Sequence, residues 1–137
     1  MKNKNNKIPL RIKIVVALFI LSIIGLSLNL FSVLGEGQGI GEIVMHDSLL
    51  ILVYVFIVFG LVTMTKWGYY LALLDSLASL AKSAFAAPEF LNMINSLPQI
   101  QNGDISASRV AIVGLIPIII TLYIFYALIS ERKKFED

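Results

Sequence analysis

Long unbroken apolar runs dominate the chain, in place of the strict alternation of half-buried strands or the narrow stripes of surface helices. Ile14 to Leu34 is apolar apart from Ser22, Ser27, Asn29 and Ser32. Ser48 to Met64 offers polar groups only on Ser48, Tyr54 and Thr63, and two further runs cover Gly68 to Ala87 and Val110 to Ile129. A helix rises ~1.5 Å per residue, so ~20 such residues cross the hydrocarbon core of a bilayer. The pattern therefore predicts an all-α polytopic membrane protein, a single membrane domain over residues 1–137 with four transmembrane helices at 12–34, 48–64, 68–87 and 110–129.

The intervening segments carry turn signals. Gly35 to Asp47 contains four glycines and no basic residue, which predicts an exposed loop. Thr65-Lys-Trp-Gly predicts a tight turn, with Trp67, Tyr69 and Tyr70 at the depth where amphipathic rings prefer to sit. Pro88 to Ser108 contains Asn102-Gly103-Asp104, a turn signal, preceded by Phe90, Met93, Ile94 and Leu97 at i, i+3, i+4 and i+7. That stripe predicts a short amphipathic helix at 89–97 in the second outer loop, lying on the membrane or capping the bundle. The first apolar run is longer than the ~7 to 15 residues of a signal-peptide core and lacks a small-x-small ending, so it is expected to be an uncleaved anchor.

Composition agrees with membrane residence. Of 137 residues, 58% are hydrophobic and 15% charged, well outside the balance of a soluble domain. The absence of cysteine excludes disulfides, thiolate metal sites and CxxC redox chemistry, and a lone histidine excludes two-histidine metal motifs. The net charge of +2 is less informative than its placement. Lys2, Lys4, Lys7, Arg11, Lys13, Lys66, Arg132, Lys133 and Lys134 fall on one side of the four spans, and Lys82 and Arg109 on the other. Basic bias in short loops sets orientation, so both termini are expected in the cytoplasm of a multi-pass plasma-membrane protein. The charge reads as orientation and not as a nucleic-acid surface.

Polar residues inside the runs are the candidate chemistry. Gly68, Ala72, Asp75, Ser79, Lys82 and Ala86 share one face of the third helix, and Ser22, Gly25, Asn29 and Ser32 share one face of the first. Small and polar faces hold membrane helices together, so these two are expected to meet. Depth counted at ~1.5 Å per residue predicts an inner layer of Asp75, Ser22 and Thr121 or Tyr123, and an outer one of Lys82 and Asn29. Asp75 is then either a protonatable or cation-binding group of a transport path or a structural carboxyl satisfied by hydroxyls or a neighbouring subunit. Lys82, one face but ~10.5 Å along the axis from Asp75, is expected to snorkel. Gly114 and Pro117 predict a kink in the fourth helix. Glu36, Glu42, His46 and Asp47 form an acidic outer cluster, either solvated or, through Glu42 and His46, a weak divalent site. No nucleophile–base pair, phosphate loop or carboxylate dyad is readable, and no catalytic residue, cofactor or metal is expected.

The stretch Gly60-Leu-Val-Thr-Met-Thr-Lys-Trp-Gly-Tyr-Tyr-Leu-Ala resembles the corner between helices two and three of uncharacterised small four-helix integral membrane proteins of bacteria and archaea. There too a Gly-Leu, a basic residue and a Trp mark a short cytoplasmic turn before a Leu/Ala helix. The resemblance implies a fold and no activity. A glutamate inside the first helix, expected of small multidrug transporters, is missing. Two functions are expected from the whole: a non-enzymatic membrane or accessory protein acting through helix–helix association, with the bilayer and a homo-oligomer or larger complex as partners, or a small oligomeric transporter or channel using Asp75.

Overall fold

The computed structural model describes residues 7–36, 40–96 and 106–136. The chain is all-helical: α1 spans Leu10–Glu36, α2 Ile40–Val62, α3 Lys66–Ser96, α4 Ala107–Glu131 and α5 Lys133–Glu136. Three helices have segments long and apolar enough to cross a membrane, Leu10–Leu34, Val44–Val62 and Ser108–Glu131. Their large apolar side chains, Leu28, Phe31, Leu52, Phe59, Ile112 and Ile119 among them, are exposed, as a hydrocarbon solvent requires. The expected third span, 68–87, lies within α3, which carries Asp75, Lys82 and Glu89 and is not one of those three.

Two sequence expectations change. The 13-residue loop at 35–47 shrinks, because α1 continues through Glu36 and α2 starts at Ile40, with 37–39 outside the described residues. Glycine weakens a helix by only ~1 kcal/mol per residue. Backbone groups that hydrogen-bond internally outweigh that in an apolar setting. Similarly, residues 89–96 are not a separate helix but the last turns of α3, which runs through Pro88. Pro88 offers no N–H to the Ala84 carbonyl, yet Ala84, Ala86 and Ala87 around it are strong helix formers and the coil is not broken. Leu97 lies outside the described residues. Pro117 is likewise internal to a continuous α4.

The chain divides into two compact units. The first comprises Met1–Ala72 with Ala127–Asp137. Here α1 packs along α2. Ile12, Val15 and Phe19 of α1 and Ile57 and Leu61 of α2 are buried, with Phe19 edge-on to Tyr54 at 5.3 Å between centroids. Asn29 meets Asp47 while Phe19 meets Tyr54, so the two helices run antiparallel.

At the corner after α2, the Met64 N–H donates to the Leu61 carbonyl and the Thr65 N–H to the Gly60 carbonyl, a Schellman closure. Met64 takes the left-handed position, at φ 53°, where glycine is usual. The corner is tight enough that Gly60 and Gly68 touch backbone to backbone: a Cβ on either would overlap the other's main chain. The second unit, Leu73–Tyr126, holds the rest of α3 and most of α4, with Ser76, Ile94 and Ile124 buried.

Candidate functional site

In the first unit α1 turns its apolar seam toward α2, and the buried and half-buried positions recur at sevens: Ile12, Phe19, Leu26, Val33. Ser22, Gly25, Asn29 and Ser32 lie about 100° around the helix from that seam at 100° per residue. All four are exposed. The polar face of α1 is thus not what joins α1 to α2. Ser22 satisfies its hydroxyl locally, donating to the Leu18 carbonyl at 3.1 Å.

Asn29 is the exception, because it reaches sideways to α2. Its Nδ2 donates to Asp47 Oδ2 at 2.8 Å, and His46 Nδ1 lies 3.2 Å from Asp47 Oδ1. Asp47 is 6% exposed, one of the few buried polar side chains among the described residues. Both of its oxygens are therefore engaged. This corrects one expectation: Asp47 belongs to no solvated loop but to the second turn of α2. A signal for it was present: Asp47, Tyr54 and Leu61 are spaced by sevens, one stripe of α2 that faces α1. Among the described residues no group of three potential ligands could hold a metal ion.

The other candidates lie in the second unit. Asp75 is half-buried and has no hydrogen-bond or ion-pair partner among the described residues. The Thr121 hydroxyl donates to the Pro117 carbonyl of its own helix at 2.8 Å. Tyr123 and Ser79 are half-buried, and the Ser79 carbonyl accepts from the Ser83 hydroxyl at 2.9 Å. Lys82 is exposed, with no ion pair to Asp75. Within this unit no hydrogen bond joins Asp75 to Thr121 or Tyr123. Hydroxyls in helices readily bond the carbonyl one turn back, and depth alone does not tell that choice from an interhelical one.

Gly114 serves close packing: its missing side chain makes room for the ring of Phe90, which a Cβ would overlap. Beside this notch Ser83, Ala86, Ala87, Leu91, Ala111 and Pro117 contribute to an apolar groove of about 420 Å³. Ser76, 2% exposed, is a buried polar residue of this unit that residue spacing did not single out.

The site's chemistry is that of hydrogen bonding and packing within helices: one carboxylate held by an amide and an imidazole, one carboxylate with no hydrogen bond among the described residues, and hydroxyls turned onto their own backbones. Comparison with known proteins adds no assignment, as no protein-family model, curated protein or solved structure matches the chain.

Proposed function

We propose that the chain is a non-enzymatic, multi-pass plasma-membrane protein that acts by helix–helix association, binding copies of itself or a larger membrane complex. In this reading α3 is the fourth span. Its 31 residues reach about 46 Å, ample for a ~30 Å core. With four spans, the basic ends lie together in the cytoplasm, and the ends of α1 and α3 lie outside.

One observation carries the proposal: Ser22, Gly25, Asn29 and Ser32 form a continuous small and polar face, exposed, on the apolar segment Leu10–Leu34, the longest such segment among the described residues. Such a face is poorly matched to lipid tails. It suits another helix, because small side chains admit close approach and hydroxyls and amides find partners across it.

The absence of cysteine makes the test clean. A single Gly25→Cys chain in native membranes is expected to form an oxidative or short-linker adduct with a second helix. Phe31→Cys, on an exposed position about 120° around α1 from Gly25, serves as the control. Equal adduct yields at the two positions, or none at either, would remove the proposal.

A second reading rests on Asp75, whose half-buried carboxyl makes no hydrogen bond with the described residues. A carboxyl so placed in a membrane helix is a coupling group for protons or cations in an oligomeric transporter or channel. Loss of flux in liposomes on Asp75→Asn would favour it, and absence of any flux from the unmodified protein would end it.

A further inference from the structure

The first unit gathers cations at one end. Because α1 and α2 are antiparallel, the start of α1 lies beside the end of α2. The short corner at 63–65 then brings the start of α3 to the same end. Phe135, 3% exposed, seats the C-terminal segment there too, its ring centroid 5.2 Å from that of Tyr69. Lys7, Arg11, Lys13, Lys66, Arg132, Lys133 and Lys134 therefore collect on one body. Glu131 is held by Lys134 at 2.7 Å. At the centre, Lys66 and Arg132, far apart in sequence, line one cleft with Tyr69, Tyr70 and Phe135. The cleft encloses only about 10 Å³. That is room for roughly one water, so a ligand would lie across its rim.

We infer that this end binds the phosphate headgroups of anionic phospholipids, with Lys66 and Arg132 as the central contacts. Charge complementarity is the first reason, since seven cations from three parts of the chain converge on a body whose described acids at that end are Glu131, already paired with Lys134, and Glu136. Depth is the second. Trp67, Tyr69 and Tyr70 surround the cluster at the margin of the apolar helices, the level of lipid headgroups. Geometry is the third: the arginine fork matches phosphate oxygens, and the exposed Tyr70 offers a hydroxyl donor beside it. The inference is independent of whether the α1 face associates.

The test uses the full chain released from mild detergent into native mass spectrometry, with phosphatidylglycerol and phosphatidylcholine of matched chains supplied in turn. Preferential retention of phosphatidylglycerol is expected, falling about thirtyfold in K66Q/R132Q, as two lost surface cations imply. K82Q should keep the preference. Equal retention of both lipids by the unmodified protein overturns the inference, as does a preference that survives in K66Q/R132Q. Should that variant fold poorly, the unmodified protein decides alone: its preference must decline as salt rises, and a salt-independent preference overturns the inference. Displacement of the lipid by polyglutamate at equal charge would assign the end to an acidic protein segment and overturn the lipid reading.

Discussion

The first unit closes by shape and the second by accommodation. Between α1 and α2, Ile12, Val15 and Phe19 face Ile57 and Leu61, and the corner that follows sets the Gly60 backbone on that of Gly68. In the second unit the corresponding close approach is between Gly114 and the flexible ring of Phe90, next to a groove of about 420 Å³. Each unit uses glycine for proximity, but only the first does so where nothing can move aside. Rigidity therefore belongs to the α1–α2–corner assembly. The polar residues without tight partners, Asp75 and Tyr123, belong to the other.

Substitution of these glycines should separate the two units most sharply. Gly60→Ala or Gly68→Ala drives a methyl into main chain and should cost about 3 kcal/mol or more, near the upper end of overpacking effects. Gly114→Ala meets a side chain that can rotate, so about 1 kcal/mol is expected, the scale of an off-rotamer ring. Reversible unfolding by detergent titration in mixed micelles would measure both. Similar losses at Gly60 and Gly114 would mean that the contrast between the units is false. Phe90→Leu should restore part of the Gly114→Ala loss and none of the Gly60→Ala loss.

The next effect in size concerns the end of the α1–α2 pair far from the Gly60–Gly68 corner. Asp47→Ala removes the acceptor of the Asn29 amide and leaves two polar groups without their partner, whereas Asp47→Asn keeps one acceptor oxygen. A fall of a few degrees in the thermal midpoint is expected for the first and a smaller one for the second. Asn29→Leu should resemble Asp47→Ala if the pair acts as a unit, and the double variant should then cost less than the two singles together. Additive losses would show that Asn29 and Asp47 contribute separately.

How far these features can be read from residues depends on which force dominates at each. The apolar runs of α1, α2 and α4 are legible because length and hydropathy alone decide whether a helix suits a bilayer. Gly35 and Gly41 mislead as loop signals, since local glycine propensity is a small term against an internally bonded backbone. Pro88 misleads in the same way, the alanines beside it sustaining the helix. The face containing Ser22, Gly25, Asn29 and Ser32 is legible as a face, but its direction is not. The competing stripe of Ile12, Phe19, Leu26 and Val33 is uniformly apolar and so invisible against an apolar background. Asp47 is missed because the glycines before it suggest a loop, although its spacing from Tyr54 and Leu61 places it on the inward stripe of α2.

The smallest expected change is a gain, and it tests whether the first unit is as fully optimised as its packing suggests. Met64 occupies the left-handed position of the Schellman closure at φ 53°. Side chains with a Cβ resist that conformation by ~1–2 kcal/mol, and glycine is free of the penalty while losing more freedom on folding. Met64→Gly should therefore stabilise the protein by about 0.5–1 kcal/mol in the same detergent titration. Loss of stability instead would mean that the half-buried methionine side chain contributes packing worth more than the backbone conformation costs. The corner would then be held by its side chain and not by the glycine pair alone. Combined with Gly60→Ala, the stabilising substitution should recover little, because relief at φ of residue 64 leaves the contact between the Gly60 and Gly68 backbones unchanged.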